Sequence, residues 1–295
     1  MFDFLLHIIT IAGIYALVAL SLNIQAGYAG LLNFGHIAFV GIGAYAAGIG
    51  AQLGIPFVLS GAIGIGLAML SGAGMAVLGR QLAADYWGIA TLAVAEIIRI
   101  VIINENELTG GAQGIGNIAA PWSSGSQQSD SIIFAIVILL VLLLVTLLSL
   151  QIGKSRFGRA LRLMREQPQL ATCMGYHLQW LKCQTLMCSA AIGALAGILL
   201  AWYTSYVSPD YLLSSETFLI WSMVMIGGIG NVAGVLIGVL VVESLYNFIP
   251  FAKDMFHISS DITGALRLGM VGVILLGCLL GRAGGLLPER LRIIP

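Results

Sequence analysis

Residues 131–151 read SIIFAIVILLVLLLVTLLSLQ, a stretch of twenty-one residues without a charged side chain. An α-helix needs about 20 apolar residues to cross the hydrocarbon core of a bilayer, so this stretch is long enough to span a membrane. The whole chain is similar in character, since 59% of its 295 residues are hydrophobic and 9% are charged, with a mean hydropathy of +1.00. Soluble domains carry about 25% charged residues. The composition therefore predicts an integral membrane protein.

The same length criterion divides the rest of the chain into apolar segments separated by short polar loops. The nine predicted spans lie near residues 4–22, 33–53, 55–79, 86–104, 131–151, 183–205, 211–228, 231–249 and 265–281. The first three residues lack the basic region of a cleaved signal peptide, so the first apolar segment is taken as a spanning helix. The predicted fold is all-α, a polytopic transmembrane helical bundle with about nine spans and broken or re-entrant Gly-rich segments. We expect residues 1–295 to form a single transmembrane domain that includes the loop 154–182.

Basic residues are concentrated in one loop, which indicates the orientation of the chain. Six of the thirteen lie within residues 154–182: Lys154, Arg156, Arg159, Arg162, Arg165 and Lys182. By the positive-inside rule this loop is cytoplasmic. Alternation through nine spans places four further arginines on the same side: Arg80, Arg282, Arg290 and Arg292. Residues 105–130 and 206–216 contain acidic residues but no Lys or Arg. We therefore predict an external N-terminus and a cytoplasmic C-terminus.

The 38 glycines suggest both close helix packing and breaks in the helices. Small residues let membrane helices approach each other, as expected for Gly64 with Gly66 and for Ala194 with Gly197. Two clusters, residues 23–30 and 108–117, mix glycine with hydrogen-bonding side chains. Irregular backbone is tolerated at membrane depth only inside protein or beside water, so such segments often mark transport routes.

Four polar residues within or beside the spans are candidates for the route or its support. Glu96 and Arg99 lie near the middle of one span, three residues apart on one helix face. Because a charge facing lipid is costly, we expect both to face the bundle interior, either as a pair that fixes packing or as part of the route. Asn33 and His36 begin the second span. A histidine in this position either forms a packing hydrogen bond or takes an active part.

Other polar residues favour structural interpretations. Glu243 and Arg267 lie near the predicted outer ends of their spans, where their side chains can reach the interface. The four cysteines lie in or beside apolar stretches and show no metal-ligand spacing, so we expect neither a disulfide nor a metal. The acidic and basic residues number thirteen each, so the chain has no net positive charge with which to bind nucleic acid. We expect membrane lipid to surround the protein.

The loop 154–182 predicts two helices. Phe157, Leu161 and Met164 repeat at helical spacing, while the arginines occupy other faces, as in an amphipathic helix on a membrane surface. Its arginines are expected to contact lipid headgroups. A second, short helix should follow between Pro168 and Gly175, because proline favours a helix start and glycine a helix end. The loop is either a simple connector or a docking element for a cytoplasmic partner.

The chain lacks the motifs of the common enzymes. It contains no phosphate-binding GxxxxGK[ST], no HExxH and no GxSxG sequence. We therefore expect a transport subunit, not an enzyme. Active transport would draw its energy from an ion gradient or from ATP bound by another chain.

Several segments, in order along nearly the whole chain, resemble the branched-chain amino-acid ABC transporter permeases of the LivM type. They are residues 27–45, 85–92 with 96–99, 108–111 with 114–115, 155–160 with 165–166 and 175, and 225–231. Departures from the family pattern are Asn33-Phe34, where many relatives carry Ser-Leu, and Gln167-Pro168-Gln169, where acidic residues are common. The departures leave the solute and the ATPase partner open.

The resemblance implies a permease in the bacterial inner membrane that takes solute from a periplasmic binding protein. It implies a second, LivH-like permease and two cytoplasmic subunits that bind ATP and Mg, with no cofactor on this chain. The implied solutes are branched-chain or other hydrophobic amino acids, alternatively urea or short amides. An ion-coupled transporter and an intramembrane enzyme are the rival classes. Residues 165–175 would form the coupling helix.

Two groups of candidate residues follow. For the route or its support they are Asn33, His36, Glu96, Arg99, Thr109, Gly110 and Gly111. For contact with the ATPase they are Arg165, Glu166, Leu170, Met174 and Gly175. Leu170 and Met174 lie four residues apart, which places them on one face of a helix.

Overall fold

The computed structural model describes residues 2–82, 84–122, 127–256, 260–281 and 284–289. Within them the chain is all-α, as predicted, apart from two-residue strands. The long helices are α1 (Phe2–Asn23), α2 (Ile37–Gln52), α3 (Phe57–Leu78), α4 (Ala84–Asn104), α6 (Gln127–Lys154), α9 (Leu178–Thr204), α10 (Ser214–Gly227), α11 (Val232–Phe256) and α12 (Ser260–Gly281). The short ones are α5 (Asn106–Thr109), α7 (Arg156–Glu166) and α8 (Pro168–Cys173). Strands β1 (Ile115–Gly116) and β2 (Tyr206–Val207) pair antiparallel.

The long helices coincide with the nine predicted segments. In the described part of the chain, five are long and apolar enough to cross a membrane by themselves: α1 with its continuation to Tyr28, α3, α4, α6 and α9. Helices α2 and α10 have only 16 and 14 residues. Irregular segments precede both, so part of each predicted span is not helical. That all nine segments cross the bilayer stays a prediction.

Helix α2 lies at the centre of the bundle and packs closely against α9. A Cβ atom at Gly197 would lie 1.9 Å from the Val40 carbonyl oxygen, and one at Gly43 would lie 2.1 Å from that of Ala194. Only glycine permits these approaches, which confirms the predicted packing role of Gly197. Gly64 contacts α2, but nothing lies within 4 Å of a Cβ at Gly66, so the prediction for Gly66 is wrong.

The acidic and basic loops lie at opposite ends of the bundle. At one end His7 near the start of α1 hydrogen bonds Tyr203 near the end of α9 over 2.6 Å, and β1 pairs with β2. At the other end α7 and α8 precede α9, whose 27 residues span about 40 Å. This separation agrees with the predicted topology. Arg282, Arg290 and Arg292 lie outside the described residues.

Candidate functional site

The segment that joins α1 to α2 is irregular yet mostly buried, with Gly30 and Leu32 exposed. Helix α1 continues as a π-helix over Ile24–Tyr28, and Gly30 then adopts a φ of +69°, which favours glycine. The backbone amide of Phe34 donates to Thr91 Oγ1 over 3.1 Å. That of Ile37 donates to Thr217 Oγ1 over 3.3 Å. Threonine hydroxyl groups of α4 and α10 thus accept hydrogen bonds from backbone amides that have no partner within a helix.

Asn33 and His36 hold this segment in place. Asn33 Oδ1 accepts from the Gly35 amide over 2.9 Å, and its carbonyl oxygen accepts from Trp221 Nε1 over 3.0 Å. A hydrogen bond of 2.5 Å joins His36 Nε2 to Ser21 Oγ on α1. Both Asn33 and His36 are fully buried. The geometry favours the packing interpretation of the histidine.

Two further residues complete this polar centre: Gln25, which lies in the Gly-rich cluster 23–30, and Ser189, which the sequence analysis missed. Gln25 Nε2 lies 3.4 Å from His36 Nδ1 and hydrogen bonds Ser189 Oγ on α9. Ser189 Oγ also donates to the Ser21 carbonyl oxygen over 2.8 Å. The available sign for Ser189 was a polar residue within an apolar span. The centre therefore joins α1, α2 and α9.

Glu96 and Arg99 form an ion pair on α4. Arg99 Nη2 lies 2.6 Å from Glu96 Oε1, and Arg99 Nε donates to both carboxylate oxygens over 3.1 Å. The expectation that both face the interior of this bundle is wrong, because Glu96 and Arg99 keep 38% and 21% of their side-chain surface exposed. They lie beside the buried residues Thr91 and Ala95, at the edge of the helix face that packs inward.

The outward faces of α6 and α4 are both largely apolar, but that of α4 also carries an ion pair near its middle. The exposed large side chains of α6 include Leu140, Leu143 and Leu144, as a surface against lipid requires. Helix α4 exposes Ile97 and Ile100 next to the ion pair. Because a charge is costly in lipid, this surface of α4 suits a wet route or another protein.

Thr109, Gly110 and Gly111 lie apart from the buried centre. Thr109 Oγ1 donates to the Ile102 carbonyl oxygen over 2.7 Å, and both glycines have positive φ angles. Ile102 lies eleven residues after Thr91, which corresponds to about 16 Å along α4. The glycine-rich segment thus forms a turn at the end of the bundle, and the structure does not bring it together with Asn33 and His36.

The two helices predicted for loop 154–182 are present. In α7, Leu161 and Met164 are buried and Phe157 is half-buried, which confirms the apolar stripe. Helix α8 begins at Pro168, and the chain leaves it through Gly175, whose φ is +85°. Leu170 and Met174 are 45% and 66% exposed. They form an uncovered apolar surface in this chain.

The arginines of α7 do not behave alike. Arg159 donates to the Lys154 carbonyl oxygen at the surface, whereas Arg162 and Arg165 both bind the carboxylate of Glu289. Arg165 also pairs with the exposed Glu166 over 3.1 Å. The expectation that Arg162 and Arg165 contact headgroups is therefore wrong. Glu289 was missed, since nothing local in the sequence connects it with α7.

Glu243 also departs from its predicted environment. It is buried in α11, where its carboxylate accepts from Asn247 Nδ2 over 2.9 Å. The guanidinium carbon of Arg267 lies 4.4 Å from the centre of the Tyr246 ring. Glu243 therefore does not extend to the interface, although a structural role still fits both residues.

Comparisons with known proteins agree with this architecture. Residues 4–279 match the family described as branched-chain amino acid transport system / permease component. The probable branched-chain amino acid transport permease protein LivM of Methanocaldococcus jannaschii is 30% identical, over 96% of this chain and 93% of the relative. LivM of Escherichia coli is 28% identical, over 95% of this chain and 69% of the relative.

A second permease type matches more weakly. LivH of Escherichia coli, also described as a high-affinity branched-chain amino acid transport system permease protein, is 25% identical, over 91% of this chain and 90% of the relative. No solved structure matches the chain significantly. The family match and the apolar helices together show a multi-pass membrane protein. The chain belongs to the family of branched-chain amino acid transport permeases.

Proposed function

We propose that this chain is the membrane-spanning permease subunit of an ATP-driven importer for branched-chain or other hydrophobic amino acids. The observation that carries the proposal is the exposed apolar surface formed by Leu170 of α8 and Met174 directly after it. The chain has no nucleotide-binding motif of its own. Helix α8 therefore offers a docking surface for one of the two cytoplasmic subunits that bind ATP and Mg and drive transport.

The residues around this surface have matching roles. Arg165 and Glu166 end α7 immediately before α8, so they link the docking surface to the bundle. Gly175 closes α8 in a conformation that favours glycine. Because only Ala171 of α8 is buried in this chain, most of the helix is free to enter a groove on the ATPase. An exposed apolar patch of this kind is typical of a protein contact.

The solute route lies along the face of α4 that carries Glu96 and Arg99, shared with a second, LivH-like permease. The ion pair is partly exposed in the middle of a long apolar helix, where lipid would be costly. Escherichia coli has both a LivM and a LivH relative of this chain, which supports a pair of homologous permeases. Asn33, His36 and the turn at Thr109 to Gly111 support the walls of the route.

The orientation follows from the basic loop. Helices α7 and α8 lie in the cytoplasm, and the turn that contains Gly110 and Gly111 lies outside, where a periplasmic binding protein delivers the solute. The membrane is the bacterial inner membrane. The binding protein makes the first selection among branched-chain amino acids, other amino acids, urea and short amides.

A double substitution on α8 tests this function. In the complex reconstituted with its ATPases and binding protein, Leu170→Asp with Met174→Asp should abolish leucine uptake and lower the recovery of the ATPase subunits. Two carboxylates in an apolar docking groove lose their hydration without gaining partners. Membrane insertion should stay normal, since both side chains are exposed in the permease.

A matched control keeps the docking surface apolar. Leu170→Met with Met174→Leu exchanges side chains of similar volume and should retain uptake. Full uptake and full ATPase recovery in the double aspartate variant would show that α8 is only a connector. Uptake that needs an ion gradient and no ATP would support a secondary transporter instead.

A further inference from the structure

Glu289, which follows the last long helix, binds two arginines of α7 with one carboxylate. Its Oε1 accepts from Arg162 Nε over 2.7 Å, and its Oε2 accepts from Arg165 Nη2 over 2.9 Å. The Glu289 side chain is only 15% exposed. Charge-assisted hydrogen bonds of this length are stronger than neutral ones, particularly where water is largely excluded. The carboxylate therefore holds α7 firmly.

The same two arginines hold α7 to α1 and α6. Arg162 Nη1 donates to the Gly153 carbonyl oxygen over 2.8 Å, and its guanidinium carbon lies 5.0 Å from the centre of the Tyr28 ring. Arg165 Nη1 donates to the Gly27 carbonyl oxygen within the π-helical segment. Each arginine thus forms one hydrogen bond to Glu289 and another to a backbone carbonyl. That carbonyl belongs to α6 for Arg162 and to the π-helical continuation of α1 for Arg165.

The segment that carries Glu289 is attached to the junction of α10 and α11. The Leu286 amide donates to the Ile226 carbonyl oxygen over 2.7 Å, and the Leu287 amide donates to that of Gly227 over 3.0 Å. A Cβ at Gly230, whose φ is +86°, would lie 2.7 Å from Glu289 Oε2. The absence of a side chain at Gly230 leaves room for the carboxylate beside this turn.

We propose that Glu289 is a positioning residue for energy coupling, which transmits the movement of α7 and α8 to the junction of α10 and α11. The inference rests on the proposed docking of the ATPase on α8. A force on α8 enters α7, because a single residue, Gln167, separates the two helices. Glu289 then ties the polar side of α7 to residues 284–289 and through them to α10. Without its carboxylate, α7 and this segment would lose their charged link.

The test measures leucine uptake per ATP hydrolysed in vesicles that contain the complete importer and its binding protein. Glu289→Gln should lower this ratio about tenfold, within the range by which coupling residues act. Glu289→Asp keeps the charge and should recover most of the ratio. Arg159→Gln is the control on α7, because among the described residues the Arg159 side chain hydrogen bonds the nearby Lys154 carbonyl oxygen and does not pair with Glu289.

The ratio separates coupling from stability. A variant that merely folds poorly lowers uptake and ATP hydrolysis together, so an unchanged ratio for Glu289→Gln would overturn the inference. Equal losses for Glu289→Asp and Glu289→Gln would overturn it as well, because the charge would then not matter. Either result leaves the α8 experiment intact. Failure of the unsubstituted complex to take up leucine would instead reject the proposed function and the inference with it.

Discussion

The ion pair on α4 gives the most direct test of how the route is built. Glu96 is the thirteenth residue of the 21-residue helix α4, near its middle. Glu96→Gln leaves the Arg99 guanidinium without its carboxylate, and an unpaired charge at the centre of a spanning helix costs about 2.5–3.5 kcal/mol on insertion scales. Because Glu96 and Arg99 keep 38% and 21% of their surface exposed, solvent reduces the cost. We expect a loss of about 2 kcal/mol for either single substitution.

The double variant should be much less affected than the sum of the single ones. Glu96→Gln with Arg99→Gln removes both charges, so neither is left uncompensated, and contacting pairs typically show coupling energies of about 0.5–3 kcal/mol. Unfolding of the purified permease in detergent measures stability, and leucine uptake by the complete importer measures function. Losses of stability that simply add in the double variant would refute the pairing argument.

The same double variant decides between the two interpretations of the pair. If Glu96 and Arg99 only fix packing, a double glutamine variant of near-normal stability should also transport normally. Since we propose that they line the route, we expect this variant to fold and assemble yet transport slowly, and normal transport would contradict that role.

Two further predictions concern topology and packing. Single cysteines in a cysteine-free background at Ala112 and Gln169, both exposed, should react with an impermeant reagent from opposite sides of the membrane, and labelling from one side would contradict the topology. Gly197→Ala should destabilise the bundle by about 1–3 kcal/mol through overpacking, because its Cβ would lie 1.9 Å from the Val40 carbonyl oxygen. Gly66→Ala is the control, since nothing lies within 4 Å of its Cβ, and equal thermal stability of the two variants would contradict the packing argument.

Local patterns in the sequence predicted the helices well, because each pattern depends only on residues of a single helix and its ends. The stripe of Phe157, Leu161 and Met164 identified α7, and Pro168 with Gly175 marked the limits of α8. Both features depend on residues within one or two helical turns. The apolar length of each segment likewise located the long helices without knowledge of their neighbours.

Interactions between distant segments could not be predicted in this way. Glu289 lies 127 residues from Arg162, and Gln25 lies 164 residues from Ser189. No periodicity connects such pairs, and one sequence carries no record of which positions vary together.

The environment of Glu243 was predicted wrongly for a different reason. The predicted span ended near residue 249, but α11 continues to Phe256, so Glu243 lies in the middle of the helix.

The π-helical segment Ile24–Tyr28 connects the two regions on which transport would depend. Gln25 contacts His36 at the base of α2, and two residues later the Gly27 carbonyl oxygen accepts from Arg165 of α7. π-Helical turns inside α-helices are frequent at functional sites, because their hydrogen-bonding pattern departs from that of the surrounding helix. A displacement of α7 would therefore act on the backbone segment that also fixes the start of α2. Since α2 packs closely against α9, movement of this segment would pass into the core and not remain at the surface.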